Sequence, residues 1–503
     1  MEHQMKVHWF DRAIGYFMPQ AGYRLALARW QFDHLRKNYD AARKDNLWSS
    51  WMVSNQTSEL QDARYRPLMI ARCRDLERNS DTANSIVKAL QRNVIGTGMR
   101  LQARVRSPDG RKSDEEAITK IESYWEGFSN QGNCDVTGFF SFAEMQKLIV
   151  SRLFFDGEVF LIETYDDDEN YPYKLQILEV DQLDMTRYDS GKNKVFSGIE
   201  VNEFNKPVAY WFRKTDPNGT SEMEPERISA DRVIHLADRT RPSQIHGVPS
   251  LAKSLSRIRD IDSYMEAENV KSRLAACFGV VIKSESNVNM PRVMAHSSEG
   301  GFSDVEIAPG MVARLKPGED VQIVAPNIPT YMADFTRINQ RVAASGQGLS
   351  YEQVSRDYSQ TNYSSARQGL LEDQKTFSIL QDYIRQAFCC PVYHKVLEAG
   401  YLCGALDIPN FWQDRKRYKV HRWIPPGWSW IDPVKEVTAQ KMGMALGITT
   451  LEEICASQGK DWYEVIEQQA REKVEVERLG LSIFKNLNET GVQNEDEDDP
   501  KEK

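Results

Sequence analysis

The sequence predicts an α+β fold made of several packed units, and three observations lead to this prediction. The chain has 503 residues, 41 % of them hydrophobic, whereas a single core rarely grows beyond about 250 residues. Apolar residues recur mostly at helical spacing up to residue 155, and between 158 and 236 they change to the alternation and short apolar runs of strands. Helix-capping signals return in the C-terminal third, so helices and sheet are segregated along the chain.

An arm that is both basic and aromatic begins the chain. Residues 1–75 carry twelve Lys or Arg against eight Asp or Glu, and aromatic residues such as Trp9, Trp30 and Trp48 are interleaved with them. Such a segment can dock on a neighbouring molecule or contact nucleic acid. We favour the simpler interpretation that amphipathic helices cover part of the body and that the terminus is partly ordered.

Three helices are predicted between residues 71 and 155. Apolar residues keep helical spacing over 71–92, and the pattern stops at Gly96 and Gly98. This glycine pair has no third glycine, no Lys-Ser/Thr pair and no preceding strand, so we do not expect a nucleotide site there. Residues 115–128 and 141–155 have the pattern of two further helices.

A mostly antiparallel sheet is predicted between residues 158 and 235. Short apolar runs such as 159–162 (Val-Phe-Leu-Ile) follow one another there. Turn signals at 205–207 (Asn-Lys-Pro) and 216–219 (Asp-Pro-Asn-Gly) separate these runs, as expected of strands joined by short connections.

Two helices then flank a small β insert. A charged amphipathic helix begins at Pro249 and runs to about Cys277, and a second helix covers 331–346. Their alternating charges suit helices that pack against copies of themselves or against other helices. Residues 279–330 contain short apolar runs and the turn signal 317–320 (Pro-Gly-Glu-Asp), which predicts short strands.

A polar loop, residues 350–361, precedes a long helix with one apolar face. Ser365 and Gln368 have the spacing of a capping box near the start of this helix. The face is formed by residues at helical spacing, namely Leu370, Phe377, Leu380, Ile384 and Phe388.

The C-terminal region is predicted to form three more helices. The pair Asp432-Pro433 suits the N-cap and N1 positions, and 450–453 and 461–464 have capping-box spacing. The helices end near Gly480. The acidic run 495–499 then predicts a disordered, solvated tail.

Two groups of residues resemble metal ligands, and we favour structural roles for both. The acids of 166–169 can supply oxygen ligands, but consecutive side chains alternate in direction, so a solvated hairpin tip is the better interpretation. Cys390, His394 and Cys403 supply three zinc ligands without an obvious fourth. Buried thiols beside a helix break at Pro391 explain this second group.

Other polar residues also receive structural interpretations. His235, set among apolar residues, is predicted to be a hydrogen-bonded histidine of the sheet rather than a catalytic base. Asp156 and Glu158 flank Gly157 at a helix-to-strand turn, where backbone geometry suffices as an explanation. The tryptophan-rich stretch 423–430 is a stacking platform for bases, a peptide groove or a buried rigid connector, and we favour the connector.

No signature of catalysis is present in the sequence. It contains no Gly-x-x-x-x-Gly-Lys-Ser/Thr loop, no Gly-x-Ser-x-Gly elbow and no His-Glu-x-x-His helix. We therefore predict that the protein is not an enzyme and that it holds no metal and no cofactor. The seven cysteines are an odd number without framework spacing, which predicts reduced thiols.

Charge and hydropathy limit the partners and the compartment. The net charge of −9 argues against tight wrapping of DNA, because nonspecific affinity comes mainly from Lys and Arg. No apolar run approaches the roughly 20 residues of a membrane helix, and the N-terminus has no signal-peptide pattern. We expect a soluble protein of the cytoplasm in which it is made, with no membrane partner.

A set of segments resembles, in the order of the family, the lambda-type bacteriophage portal proteins. The most informative are 346–352 (Gly-Gln-Gly-Leu-Ser-Tyr-Glu) and 362–367 (Asn-Tyr-Ser-Ser-Ala-Arg), which look like the tunnel-loop region of those proteins. The other matching segments are 93–98, 156–159, 178–181, 232–236, 241–244, 247–249, 317–321, 423–428 and 432–433. The resemblance spans about residues 70–480, whereas the first 60 residues and the acidic tail match less well.

The resemblance implies a portal fold with a mixed α/β wing, a helical stem, a small β-rich clip and a helical crown, in a homo-oligomeric ring of usually twelve subunits. The parts implied along the chain are an N-terminal arm 1–60, the wing 61–248, stem helices 249–278 and 331–349, the clip 279–330, a tunnel loop 350–361, a spine helix with its connector 362–432, the crown 433–490 and an acidic tail 491–503.

The function implied by the resemblance is that of a channel and docking platform at one capsid vertex. DNA would be packaged and ejected through the ring, and the ring would nucleate procapsid assembly. The implied partners are double-stranded DNA without sequence preference, the terminase large subunit, head-tail connector and completion proteins, and the major capsid and scaffold proteins. The protein would be assembled in the host cytoplasm and would lie in the virion.

Candidate site residues follow from the same resemblance. For the DNA tunnel they are Arg356, Ser355, Gln360 and Asn362, and for partner docking on the clip they are Arg292, Arg314 and Lys316. Arg356 is the only cation in 350–361, and Glu352 and Asp357 balance it. A ring of such loops would contact phosphates weakly, so that DNA can slide.

Two alternatives from other functional classes stay open at this point. A metal-dependent nuclease or other DNA-processing enzyme would use the acids of 166–169 or the group around Cys390, and one substitution there would abolish turnover. A monomeric adaptor would bind DNA or protein through the basic aromatic arm, and it would be a monomer in solution.

Overall fold

The structure is a computed structural model. It describes residues 14, 16–35, 53, 55–109, 111–188, 191, 193–213, 224–277, 281–282, 313–314, 332–428 and 433–479. The turn signal 216–219, the acidic tail and most of the insert 279–330 lie outside the described residues. Two compact units, 1–57 and 58–503, are distinguished. In the first unit, helix α1 covers Pro19–Leu35.

Helices build the first part of the second unit. They are α2 (Ser58–Asp62), α3 (Arg66–Asn79), α4 (Asp81–Leu90), α5 (Glu115–Ser129) and α6 (Phe142–Phe155), with a π-helical turn (Gln91–Ile95) directly after α4. The two helices predicted at 115–128 and 141–155 are confirmed. Helix α6 begins with a capping box in which Ser141 and Glu144 satisfy each other's backbone N–H groups.

The single helix predicted over 71–92 is wrong. Ser80 has extended backbone angles and caps α4 by accepting a hydrogen bond from the N–H of Ala83, so the chain turns between α3 and α4. Hydrophobic spacing continues across this turn, because both helices bury their apolar faces in one core. The predicted stop at Gly96 and Gly98 is confirmed, and both glycines have positive φ angles.

Two antiparallel sheets follow, as predicted from the periodicity. The strands are β2 (Glu158–Tyr165), β3 (Tyr173–Leu178), β4 (Lys194–Phe196), β5 (Ile199–Val201), β6 (Pro207–Phe212), β7 (Glu226–Ser229) and β8 (Val233–Ala237), after a short β1 (Arg100–Ala103). One sheet has the order β3-β2-β8 and the other β4-β5-β6-β7. The central position of β2 explains why most of its residues are buried.

Two long helices pack side by side after the sheets. A 3-10 turn (Ser250–Lys253) precedes α7 (Leu255–Cys277), so the helix begins later than the predicted Pro249. Its partner α8 covers Met332–Ser345. The ring of Tyr264 lies 4.4 Å from that of Phe335, and near the other end the hydroxyl of Ser254 donates to the carbonyl of Ala343. The two helices are therefore antiparallel.

The insert between these helices is described only at two short strands. They are β9 (Val281–Ile282) and β10 (Ala313–Arg314), and they pair in parallel. Short strands were predicted within 279–330, and the structure confirms them at these four residues. The rest of the insert lies outside the described residues.

A long interrupted helix runs through the core after the polar loop. A separate short helix, α9 (Tyr351–Ser355), comes before it. The long helix itself consists of α10 (Tyr363–Ile384), a π-helical turn (Arg385–Cys389) and α11 (Cys390–Cys403) in one run. The helix break predicted at Pro391 is wrong, because Cys389 and Cys390 keep helical angles. The π-turn accommodates the proline, whose ring and missing N–H disturb a regular helix.

The predicted apolar face of α10 is confirmed. Phe377, Ile384 and Phe388 are fully buried in the main core. The cap predicted at Ser365 is wrong, because the helix begins at Tyr363 with Asn362 as its N-cap. Ser365 is the N3 residue of that capping box, so the sequence signal was placed three residues too late.

The C-terminal elements include a strand that the sequence did not predict. After α12 (Arg415–Tyr418), β11 (His421–Ile424) pairs with β1 in antiparallel register, so buried Trp423 belongs to a sheet rather than a connector. Three helices follow as predicted, α13 (Pro433–Ala445), α14 (Leu451–Ser457) and α15 (Trp462–Arg478).

The two capping boxes predicted for these last helices differ in outcome. The box of Thr450 and Glu453 is confirmed. Asp461 caps α15 by accepting from the N–H of Tyr463, but Glu464 instead pairs with Arg100 at 2.7 Å. In the described part of the chain no helix is long and apolar enough to cross a bilayer.

Candidate functional site

The segment 350–361 combines a short helix with an exposed turn. The sequence predicted a loop throughout, but Tyr351–Ser355 forms α9, and Val354 on this helix is buried. Arg356 ends α9 in a left-handed conformation with φ of 56°, and its N–H donates to the carbonyl of Glu352 at 2.9 Å. Asn362, six residues after this cap, is the N-cap of α10.

Asp357 organises the turn that follows. Its carboxylate accepts hydrogen bonds from the N–H of Ser359 at 3.0 Å and from the hydroxyl of Tyr351 at 3.2 Å. The bonds from Ser359 are the first cause of a lowered pKa for Asp357. This carboxylate therefore stays ionised close to Arg356 and keeps the local charge of the segment balanced.

The four predicted tunnel residues fall into two pairs. Arg356 and Gln360 are exposed, and their side chains are available for a ligand. The hydroxyl of Ser355 donates to the carbonyl of Tyr351 at 2.9 Å. The side chain of Asn362 accepts from the N–H of Ser365 at 2.8 Å. The side chains of Ser355 and Asn362 are thus already hydrogen-bonded to nearby backbone groups, as expected of Ser and Asn near helix ends.

The three predicted docking residues lie mostly beyond what the structure describes. Arg292 and Lys316 are outside the described residues. Arg314 belongs to β10, where it is paired with Ile282 of β9. Their suggested role in docking partners remains a prediction.

The two groups that resembled metal ligands have other contacts. Residues 166–172 connect β2 to β3, and Lys174 pairs with Asp166 at 2.9 Å and with Asp168, so the predicted hairpin tip is confirmed. Cys390 contacts the imidazole of His421 at 3.3 Å. Among the described residues, no group of three His, Cys, Asp or Glu side chains is placed to hold a metal ion.

The thiols themselves differ in exposure, so the expectation that all were buried is wrong. Cys389 is fully buried, Cys390 is half-buried and Cys403 is exposed. Burial raises the pKa of Cys389 well above its ordinary value and raises that of Cys390 as well. These two thiols are consequently poor nucleophiles at neutral pH.

A buried polar cluster lies where the sequence suggested only a backbone turn. Glu158, at the start of β2, is fully buried and accepts three hydrogen bonds. Its donors are His235 Nε2 at 3.0 Å, His246 Nδ1 at 2.8 Å and the N–H of Gly247 at 2.9 Å. Although burial raises its pKa, His246 and His235 hold the pKa of Glu158 well below its ordinary value. The carboxylate is therefore ionised inside the protein.

The two histidines of this cluster have different protonation states. His246 Nε2 lies 2.8 Å from the carbonyl oxygen of Phe196, so both of its ring nitrogens face acceptors and both carry protons. His235 Nδ1 faces the hydroxyl of Tyr210 and the guanidinium of Arg239, which donate to it. Burial lowers the pKa of His235, consistent with a neutral ring. The prediction of a hydrogen-bonded sheet histidine is confirmed.

Close backbone packing accompanies this cluster. Gly157 has a φ of 85°, and a Cβ there would lie 2.3 Å from the carbonyl carbon of Val248. Asp156, which directly precedes Gly157, is fully buried and pairs with Arg74 at 2.8 Å and with Arg152 at 3.1 Å. The prediction that backbone geometry alone explains this turn is therefore incomplete. A signal was available in the sequence, because Asp156 and Glu158 are two acids placed between the apolar residues of a helix and those of a buried strand.

Comparison with protein families gives a match over most of the described chain. The model of a family described as "Phage portal protein, lambda family" matches residues 44–381. Segment 350–361 and the buried cluster around Glu158 both lie inside this range.

Curated relatives match over nearly the whole length. A "Probable portal protein" of Halomonas phage phiHAP-1 is 28 % identical over 485 residues, which cover 93 % of both chains. "Portal protein B" of Escherichia phage lambda is 24 % identical and covers 86 % of this chain and 88 % of its own. The "Portal protein" of Escherichia phage N15 is also 24 % identical, with coverages of 85 % and 88 %.

Solved structures also match over much of the chain, with low similarity. A chain from the "Neck of empty GTA particle computed with C6 symmetry" has a TM-score of 0.36 at 12 % identity and covers 81 % of this chain and 95 % of that one. A chain from the "Neck of native GTA particle computed with C12 symmetry" has a TM-score of 0.37 at 11 % identity, with coverages of 80 % and 94 %.

Proposed function

The chain belongs to the lambda family of phage portal proteins, and from this premise we propose that its copies form a closed ring, usually of twelve subunits, around an axial channel for DNA. The family match over residues 44–381 carries this proposal. The protein is a structural component and not an enzyme, so the nuclease considered as an alternative is set aside.

Exposed apolar side chains on the antiparallel helix pair support assembly. On α8, Ile338 is 58 % exposed and Val342 is 42 % exposed, and their spacing of four residues places them on one face. Val270 on α7 is also exposed. A single chain leaves these groups in water, whereas a neighbouring copy would cover them. Contacts of this kind between non-identical faces close into a ring when the rotation between copies is right.

The helix α13 supports the same proposal. None of its residues is buried, although it carries the exposed apolar side chains of Val434, Val437 and Met442. Leu446 and Ile448, which follow it directly, are exposed as well. Helices with this composition gain stability mainly from packing against a partner, because isolated short helices are marginal in water.

The parts of the portal fold are assigned on this basis. Residues 61–248, which contain both antiparallel sheets, would be the wing. Helices α7 and α8 would be the stem. The insert 279–330 would be the clip, α10 and α11 the spine, and α13 to α15 the crown (433–490). The basic arm and the acidic tail would lie at the two ends of the chain.

The segment 350–361 would be the tunnel loop that contacts DNA. Arg356 and Gln360 are its exposed polar candidates, whereas Ser355 and Asn362 would shape the loop through their backbone contacts. With Glu352 and Asp357 nearby, one arginine per copy gives weak contact with phosphates. Weak contact suits a conduit, because few counterions are displaced and DNA can slide.

Partners outside the ring would meet the clip and the wing. We propose that the terminase large subunit and later the head-tail connector proteins dock on the clip, with Arg292, Arg314 and Lys316 as candidate contacts. Major capsid and scaffold proteins would surround the wing. As a phage portal protein the chain is a virion component, and we propose that it is assembled in the host cytoplasm.

Native mass spectrometry with negative-stain imaging tests this proposal directly. A ring of about twelve copies of the 57.8 kDa chain with a central hole is the expected result. A stable monomer or dimer at high concentration would contradict the ring and would favour the adaptor that binds through its basic aromatic arm.

A further inference from the structure

Residues 347–361 divide at Arg356 into two parts, which differ in their hydrogen bonds to the rest of the protein. From Gln347 to Ser355 the chain bonds to three other elements, as described below. Within the described residues, the hydrogen bonds of 356–361 are all made inside the range 351–362. The first part is therefore bonded directly to the body, whereas in the described part of the chain residues 356–361 are hydrogen-bonded only to one another and to α9.

The strongest contact of the fixed part is with Asp373 on α10. This residue is 2 % exposed, and both of its carboxylate oxygens serve a single partner. Oδ1 accepts from the N–H of Ser350 at 2.7 Å, and Oδ2 accepts from the hydroxyl of Ser350 at 2.6 Å. Hydrogen bonds to a buried carboxylate are stronger than those between neutral groups.

A second contact comes from the next turn of the same helix. Thr376 Oγ1 donates to the carbonyl of Gly348 at 2.8 Å. Gly348 has a φ of 72°, and a Cβ there would lie 3.1 Å from the side chain of Thr376. Residues three apart on a helix share one face, so Asp373 and Thr376 together hold the chain at 348 and 350.

Two other elements hold the same part from other directions. The hydroxyl of Ser85 on α4 donates to the carbonyl of Val354, which is buried. The amide of Gln347 donates to the carbonyl of Ser250 at 2.9 Å, next to the start of α7. The base of the segment is thus bonded to α4, to the 3-10 turn before α7 and to α10.

We propose that Asp373 is the positioning residue of the DNA-contacting loop: it holds Ser350 on α10, so that only 356–361 moves against DNA while the base of the loop stays in place. This inference rests on the proposed function of the segment. The mobile part of the loop is then residues 356–361. The position of the loop is set by the buried carboxylate of Asp373 on α10.

Hydrogen-deuterium exchange of the purified full-length protein measures the anchor without DNA. In Asp373→Ala both donors of Ser350 lose their acceptor, so exchange in 349–355 should rise by about ten- to a hundredfold. Exchange in 356–361 should change little. Asp382→Ala, an exposed acid on the same helix, is the control and should leave both ranges unchanged.

The variant Asp373→Asn separates positioning from general destabilisation. Its oxygen still accepts from the N–H of Ser350, and its amide donates to the hydroxyl, so exchange should return close to wild type. Ser350→Ala is a milder test from the other side and should raise exchange less than Asp373→Ala. Unchanged exchange in Asp373→Ala would overturn the proposal.

DNA retention in assembled particles separates this inference from the proposed function. Asp373→Ala should lower retention, and Asp373→Asn should restore it. If Arg356→Glu lowers retention while Asp373→Ala alters neither exchange nor retention, the conduit stands and the anchor is wrong. If Asp373→Ala raises exchange but neither variant changes retention, the anchor stands and the DNA role of the loop is wrong.

Discussion

His246 donates a hydrogen bond to Glu158 across 88 residues of sequence, and the two side chains form an ion pair that is fully buried. Nδ1 of the imidazole lies 2.8 Å from Oε1 of the carboxylate, and Nε2 donates to the carbonyl of Phe196. The pair therefore joins β2 of one sheet to β4 of the other sheet and to the chain segment before α7. It is a structural centre of the proposed wing.

Glu158→Gln should destabilise the protein by about 3–5 kcal/mol, because it leaves a buried imidazolium without its counter-charge. The midpoint of chemical denaturation measures this loss. His246→Gln removes the other partner, and the double variant should cost less than the sum of the single ones. Additive losses would show that the two residues do not interact.

The pH dependence of this stabilisation follows from the direction of the pKa shift. The folded-state pKa of Glu158 is lowered, so its contribution is present above the unfolded pKa of about 4.3. It is lost only as the pH falls through the lower folded pKa. Wild type should therefore lose stability below about pH 4, and Glu158→Gln should show a weaker dependence there.

The pKa of Glu122 is raised rather than lowered, so this residue gives a second test of pH dependence with the opposite sign. Its pKa is raised to about 7, mainly by burial and also by the nearby Asp461 and Glu464, although a hydrogen bond from the N–H of Ala103 acts in the opposite direction. The folded protein thus holds this proton more tightly than the unfolded chain does, and stability falls as the pH rises from about 4.5 to above 7. Glu122→Gln should raise the melting temperature at pH 8 and leave it unchanged at pH 5.

A control for the Glu122 prediction is Glu126, an exposed acid one turn later on α5. Glu126→Gln should change the melting temperature little, because substitutions of exposed side chains away from special features have small effects. Equal melting shifts at pH 5 and pH 8 in Glu122→Gln would contradict the raised pKa.

Gly157→Ala should be among the most destabilising single substitutions in the chain. The added Cβ would meet the backbone of Val248 at 2.3 Å, and φ is already 85°. We expect a loss of more than about 4 kcal/mol or no folded protein. Gly404→Ala is the matched control, since Gly404 has a φ of 81° and nothing within 4 Å. It should cost only about 1–2 kcal/mol. Similar losses for both would show that the close approach is unimportant.

Elements with a local periodic signal could be predicted from the sequence, whereas contacts made by folding could not. Helical faces such as that of Phe377 and Ile384 were predicted, because burial on one side of a helix leaves a local periodic signal. The Glu158–His246 pair was missed, because nothing near Glu158 in the sequence marks a histidine that folding brings to it. The helix at Pro391 was predicted to break, because a single π-turn that accommodates a proline has no signature in composition.

The candidate site shows the same limit. Segment 350–361 was placed correctly as the connection between two helices, since its polar residues interrupt the apolar pattern. The short helix α9 inside it was not predicted, because burial of Val354 against α4 is a tertiary contact. Asp373 was not singled out either, as it resembles any acid on a helix surface until Ser350 is brought to it.

Arg356→Glu tests the proposed tunnel loop. The side chain is exposed on a turn, so folding and ring assembly should survive the change. Reversing the charge in every copy replaces a phosphate contact with repulsion, and DNA-filled particles should fall by about tenfold. Arg356→Lys keeps the charge and should package normally. Unchanged yield of filled particles in Arg356→Glu would count against a DNA role for this residue.

The exposed face of α8 provides the sharpest test of the ring. Ile338→Asp combined with Val342→Asp places two charges per copy in the proposed contact, and an uncompensated buried charge costs several kcal/mol. Native mass spectrometry should then show monomers in place of rings. The monomer should keep its secondary structure, because both side chains face solvent within one chain. Phe204→Asp is the control, since Phe204 is 80 % exposed at a hairpin tip outside the stem. A ring of unchanged mass in the double variant would place the subunit contact on another surface, such as that of α13.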